Sequence, residues 1–315
     1  MSAATPARPG GIVCPMVTPV TPDGGLDEPL LRALIEALVP DLEGLFVLGS
    51  SGELTWLADD VALAVAGAAV DQVAGRIPVY VGVGDTSLRR TLARAERVAD
   101  VGADYLVVAA PFYYEVPSEV RMVEYFETIA GAASAPIVLY NIPQNTHVRL
   151  RPSTVGILAE NPAIVGIKDS AGDWFAFEQF LALGSDGFRV LQGRERLAAI
   201  SLWSGADGVI SGMANFAPRL LRELAAAVDG ERPRAEILAL QATVSDLARV
   251  FDQADWLAGL KCTLDVLGWP VGDPGLPIAP YDAGQRRAVE AIIAAPEMAR
   301  WLTAAPVDPL RSARR

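Results

Sequence analysis

An α/β fold, a (β/α)8 TIM barrel with additional C-terminal helices, is predicted by two observations. Short apolar, β-branched runs alternate with longer helical patterns along the chain, and the alternation repeats eight times. A barrel of this kind takes about 250 residues, and the 315 residues present leave a tail for further helices. An open, doubly wound sheet is the competing architecture for the same alternation.

In order, the strands are expected at Ile12–Thr18, Gly44–Leu48, Val79–Val83, Tyr105–Ala109, Ile137–Tyr140, Ile164–Lys168, Arg189–Leu191 and Gly208–Ile210. The intervening helices are expected at Leu30–Val39, Asp59–Val73, Leu88–Val101, Ser118–Ala132, Ser153–Glu160, Trp174–Leu183, Arg196–Trp203 and Pro218–Val228. Residues 1–230 are thus expected to form the catalytic barrel behind a short N-terminal extension. Residues 231–315 read as a helical extension packed on it. Within it, Ala235–Phe251, Asp255–Leu267 and Ala283–Leu302 are apolar at helical spacing, and Trp269–Pro280 is a Pro/Gly-rich connection.

Composition narrows the function. With 51% hydrophobic and 20% charged residues the chain is an ordinary globular one, not a disordered or fibrous one. Its longest apolar run, Val61–Val70, is about half the roughly 20 residues of a membrane span. Met1–Gly11 lacks the apolar core of a signal peptide, so a cytoplasmic location is expected and a membrane is not. In that compartment Cys14 and Cys262 are expected to stay reduced. A net charge of −12, from 26 basic and 38 acidic residues, argues against nucleic acid and anionic membranes as partners.

The basic residues include only two lysines, Lys168 and Lys261, and His147 is the single histidine. A mechanism built on imidazole must use His147, whose loop position suggests a surface role. No metal site and no cofactor are expected. Gly82-Val83-Gly84-Asp85-Thr86-Ser87, with Asp104 downstream, imitates a dinucleotide fingerprint, but Ser87 stands where the third glycine belongs, and a plain turn is the reading preferred.

In a barrel, chemistry belongs at the C-terminal ends of the strands. Polar residues cluster there: Gly49-Ser50-Ser51-Gly52-Glu53 after the second strand, Pro111-Phe112-Tyr113-Tyr114 after the fourth, Tyr140-Asn141-Ile142-Pro143 at the fifth and Lys168-Asp169-Ser170 at the sixth. Lys168 ends an apolar strand in a chain that otherwise uses arginine. A guanidinium cannot form an imine, whereas a desolvated amine can attack a carbonyl carbon. The competing role is an ion pair with Asp169. Tyr140 is the candidate proton shuttle or, alternatively, a rim aromatic. Ser50 and Ser51 offer hydroxyls and backbone N–H groups suited to a carboxylate, or simply form a turn. Glu53 reads as a capping group beside a helix start, and Lys261 as a helix-surface or interhelix charge.

Together, Gly49-Ser50-Ser51-Gly52-Glu53, Tyr140-Asn141-Ile142-Pro143 and Gly166-Ile167-Lys168-Asp169-Ser170 resemble, in order and spacing, the dihydrodipicolinate synthase / N-acetylneuraminate lyase family. The resemblance covers roughly Gly11 to Gln285. It implies a class I aldolase, usually a homotetramer, that makes a lysine Schiff base with pyruvate or another 2-keto acid and needs no metal. On this likeness Lys168 is the imine lysine, Tyr140 the proton carrier, Ser51 the carboxylate holder, and Ser50 the link to a second tyrosine from a neighbouring subunit, for which Tyr113 is the candidate. Gly52 belongs to the same loop, and Gly193 and Ile210 fall where relatives line the pocket with backbone.

The likeness breaks after Tyr140. Synthases that condense pyruvate with aspartate semialdehyde carry an arginine two residues beyond Tyr-Asn-x-Pro, and here Asn145 stands there. The loss of a charge-assisted contact turns the expectation toward cleavage or formation of a C–C bond between pyruvate and an aldehyde, with a keto-deoxy sugar acid or hydroxy-oxo acid as substrate. Arg194, Glu195 and Arg196 follow the seventh strand, where sugar-acid lyases recognise the distal half, and either arginine binds a second carboxylate or faces solvent. The rivals are a dehydratase or a dihydrodipicolinate synthase using the same imine, and a non-catalytic 2-keto acid binding or regulatory homologue.

Overall fold

The computed structural model describes residues 8–114, 118–253 and 255–305; the first seven residues of the N-terminal extension and residues 306–315 of the helical tail lie outside them. Eight parallel strands pair in sequence order: β1 (Gly11–Pro15), β2 (Gly44–Val47), β3 (Val79–Gly82), β4 (Tyr105–Ala109), β5 (Ile137–Asn141), β6 (Ile164–Asp169), β7 (Arg189–Gln192) and β8 (Gly208–Ile210). Gly11 of β1 lies opposite Gly208 of β8, so the sheet closes and the open alternative is excluded.

Closure explains why the strands read as unbroken apolar runs, since both faces are buried. Successive side chains alternate sides. Val13, Phe46, Tyr80, Tyr105, Val107, Val138, Leu191 and Ile210 fill the interior, with Tyr80 and Tyr105 stacked at 4.7 Å between ring centroids. The alternate residues, among them Leu45, Val81, Leu106, Leu139 and Ile167, pack outward against the helices.

Several helices begin where a short polar side chain satisfies a free N–H group. Asp27 accepts from Leu30 ahead of helix Glu28–Leu38, Ser118 from Arg121, and Asp173 from Ala176. β4 and β8 have the expected ends, whereas β1 stops at Pro15, because the Val17 N–H turns to the Asn215 side chain at 3.0 Å.

Helices Arg234–Leu247, Trp256–Val266 and Ala283–Ile293 follow the barrel. The last one is shorter than expected. Pro296 has no N–H to continue the ladder, and the chain beyond it is tied back by Thr303 N–H on the Phe216 carbonyl. No helix among the described residues is long and apolar enough to cross a membrane.

The turn reading of the glycine-rich segment holds. A Cβ on Gly82 would lie 2.0 Å from the Leu48 carbonyl oxygen, so close chain approach explains that glycine. The Asp85 carboxylate binds Arg90 and Arg94, and Asp104 accepts from the Val79 N–H at the other end of the strand.

Candidate active site

Tyr140 and Lys168 are direct ladder partners on β5 and β6, and both point into the barrel mouth. The lysine Nζ lies 4.1 Å from the centroid of the Tyr140 ring and 5.0 Å from that of Phe46, with the residue 4% exposed. Its neighbour Asp169 points the opposite way, as strand alternation requires, so the ion pair between Lys168 and Asp169 that the sequence allowed is not made. Asp169 instead accepts from Asn141 Nδ2 at 2.6 Å, across the same two strands, and Asn141 Oδ1 accepts from the Leu150 N–H. Among the described residues Lys168 is in no ion pair, and Lys261 is the lysine that makes one.

The two faces also differ electrostatically. Burial alone pushes the Tyr140 phenol up, but the Lys168 charge and hydrogen bonds from Ser50, Lys168 and Ser170 outweigh it, and the net shift is downward. Burial pushes the Asp169 carboxyl up to about 6, against the Asn141 and Ala171 hydrogen bonds that oppose the rise. A carboxyl raised on folding stabilises the native state below its unfolded value near 4, and this contribution is lost as pH rises through about 6. Urea titrations from pH 4 to 6.5 are therefore expected to show the stability difference between wild type and Asp169→Asn changing by ~2 kcal/mol. A flat difference would refute a proton on Asp169.

After β2 the chain turns sharply. Leu48 and Glu53 have φ of 59° and 58°, and the Thr18 hydroxyl holds the Gly52 carbonyl at 2.8 Å. Gly52 is needed because a Cβ there would meet the Leu48 nitrogen at 2.8 Å. The turn sets the Ser50 hydroxyl on Tyr140 and leaves Ser51 buried on the cavity wall. Glu53 is not a helix cap. It is buried, paired with Lys261, and lies before the helix start at Asp59. Lys261 is correspondingly neither a helix-surface nor an interhelix charge: its pairing joins the C-terminal extension to the loop after β2.

Lys168 opens onto a cavity of about 260 Å³ whose wall includes Ser50, Ser51, Tyr140, Asn145, Gly193, Arg194, Glu195 and Ile210. A Cβ on Gly193 would fall 2.7 Å from the Asp169 carbonyl oxygen, too close for backbone to yield, so glycine is required. Arg194 is fixed by its Nε on the Ser170 carbonyl at 2.8 Å and its N–H on Gln192 Oε1 at 2.9 Å. Glu195 accepts from the Ser211 hydroxyl at 2.9 Å. Arg196 leaves the site and pairs with Asp252, and His147 is exposed in a left-handed turn after Pro143–Thr146. Cys14 and Cys262 are free thiols.

The lining residues not among those predicted include Ser170, Gln144, Phe251 and Trp256. Ser170 had a signal, since it lies two positions after Lys168 and so faces the same side. The others come from outside the strands. Across Ser50, Tyr140 and Trp256 lies a larger chamber of about 460 Å³, with Leu54, Trp56 and Phe112 on its walls. Tyr113 lines neither space. It is 80% exposed, at φ 89°, with its ring edge-on to Tyr114.

Comparison with known proteins gives one direction. The model of the dihydrodipicolinate synthetase family matches residues 8–296. A DapA-like lyase of Halobacterium salinarum, itself uncharacterized, is 36% identical over 289 residues, 90% of this chain and 93% of that protein. A 4-hydroxy-tetrahydrodipicolinate synthase of Salinibacter ruber is 36% identical over 281 residues, 86% of this chain and 90% of the other. Among solved structures, the E. coli K12 prophage protein YagE, of the dihydrodipicolinic acid synthase family and in complex with pyruvate, superposes with a TM-score of 0.85 at 31% identity. That superposition covers 90% of this chain and 97% of YagE.

Proposed function

This chain belongs to the dihydrodipicolinate synthetase family and is a lyase, and from that premise we propose that it acts through an imine between Lys168 and pyruvate, making or breaking a C–C bond between pyruvate and an aldehyde. The observation that carries the reading is a buried lysine without a carboxylate partner among the described residues, facing a cavity beside a tyrosine whose pKa is lowered. The pyruvate held by YagE supports the same keto acid here.

The Lys168 amine attacks C2 of the keto acid, Tyr140 carries a proton to the carbonyl oxygen, and that oxygen leaves as water with the amine's displaced protons. Ser51, with its backbone N–H, holds the carboxylate in place. In cleavage, Tyr140 takes the proton of the C4 hydroxyl, the C3–C4 bond breaks, and its electron pair moves into the protonated imine to give an enamine. Protonation at C3 and hydrolysis release pyruvate. Ser50 links Tyr140 to Tyr113 of a neighbouring subunit in a homotetramer, which gives the exposed position of Tyr113 a use.

For the distal half we favour a keto-deoxy sugar acid or hydroxy-oxo acid. Asn145 is uncharged, while Arg194, Glu195 and Gln144 offer hydroxyl and carboxylate partners on the same wall. The test is incubation with pyruvate, borohydride reduction and peptide mass spectrometry. A pyruvyl adduct on Lys168 is expected, and no adduct on folded protein would sink the proposal. Incubation with keto-deoxy acids then separates an aldolase, which releases pyruvate, from a dehydratase, which keeps the carbon chain intact.

A further inference from the structure

Both lysines of the chain are buried, but only Lys168 has a place in the chemistry above. Lys261 lies within helix Trp256–Val266, its side chain 2% exposed, in an ion pair with Glu53, whose side chain is 3% exposed. The other contacts of the pair run to the connection that follows this helix. Lys261 Nζ donates to the Asp273 carbonyl at 3.0 Å, and Glu53 Oε2 accepts from the Gly275 N–H at 2.8 Å. Among the described residues Glu53 Oε1 has the Lys261 ammonium as its one polar partner.

Stability alone is a poor explanation for such a pair. Desolvating two charges offsets most of their attraction, and apolar side chains of similar volume often pack as well or better. What a buried ion pair adds is a fixed position. Glu53 closes the turn that begins at Gly49: its N–H donates to the Ser50 carbonyl at 3.3 Å, and its φ of 58° lies in the region that L residues seldom adopt. The carboxylate is therefore clamped from the C-terminal extension while the backbone of the same residue holds Ser50, whose hydroxyl bonds Tyr140. The same helix also begins with Trp256, which lines the Lys168 cavity.

We propose that Glu53 and Lys261 are positioning residues for the reaction: through their ion pair the C-terminal extension sets the Ser50 hydroxyl on Tyr140, controlling proton transfer without touching substrate. The inference rests on the imine reading of Lys168.

The near-isosteric neutral pair E53Q/K261M tests it, because it leaves no buried charge unpaired. Its thermal midpoint is expected to stay within a few degrees of wild type, and the pyruvate concentration giving half-maximal trapping to be unchanged. The rate of borohydride-trapped adduct formation is expected to fall about tenfold, and the same pair placed in an S50A background to cost less than about twofold, the non-additivity of groups that act through one another. Wild-type trapping rates in a stable neutral pair would overturn the inference, as would an equal loss with and without the Ser50 hydroxyl. If the neutral pair does not fold, E53Q alone, whose amide oxygen still accepts from Gly275, goes through the same cycle with the same two readings. Wild-type protein that traps no pyruvate overturns the imine reading and this inference together; an adduct on wild type with additive losses overturns the inference alone.

Discussion

Lys168→Ala is expected to abolish the pyruvyl adduct and to lower turnover by at least ~10⁴-fold, because no other group supplies the covalent electron sink. The variant should nonetheless fold. Lys168 is in no ion pair among the described residues, so its removal orphans no carboxylate, and the large destabilisation that follows when a buried pair is broken does not apply. Lys168→Arg separates nucleophilicity from charge. A guanidinium keeps a cation beside Tyr140 but cannot become an imine, and it should be as inactive as alanine. Retained turnover in either variant, or an adduct that moves to Lys261, would refute the assignment. The second outcome is disfavoured by geometry, since the Lys261 amine is enclosed by Glu53 and the Asp273 carbonyl.

What could be read from sequence divides along physical lines. The ends of the apolar runs were legible, because an inward-pointing residue at a strand terminus is where polarity first becomes affordable to a barrel, and Tyr140 and Lys168 both stand there. Their being direct ladder partners was not, since register depends on how the closed sheet staggers its strands. Asp169 shows the reverse case. Adjacency in sequence suggested a partner for Lys168, while the two-residue period of a strand forbids it.

Scarcity of lysine pointed to Lys168 and should have pointed equally to Lys261. Helical periodicity reads the second lysine as a helix-surface or interhelix charge, and its partner Glu53, in a loop, is brought to it only by the way the extension folds over the barrel. Trp256 and Phe251 reach the cavity by the same route. The overlong last helix was a local error, since Pro296 carried the stop signal.

Tyr140→Phe is expected to lower kcat by ~10²–10⁴-fold, the usual range for losing a positioned acid–base group, with a much smaller change in KM. Phenylalanine keeps the ring beside Lys168, so packing and the contact with the amine persist while the proton carrier is gone. The pH profile separates this from a structural effect. The Lys168 charge and the hydrogen bonds lower the Tyr140 pKa despite its burial, so the anionic form that accepts the C4 proton is populated at lower pH than for a free phenol. Cleavage in the wild type should therefore rise with pH through that depressed pKa. In Ser50→Ala one of the lowering hydrogen bonds is lost and the limb should move to higher pH; in Tyr140→Phe it should vanish, leaving a low, flat rate. The measurement is kcat against pH for the three proteins with the keto acid that wild type cleaves. An unmoved limb in Ser50→Ala would break the link between that hydroxyl and the phenol, and a limb that survives in Tyr140→Phe would assign the proton to another group.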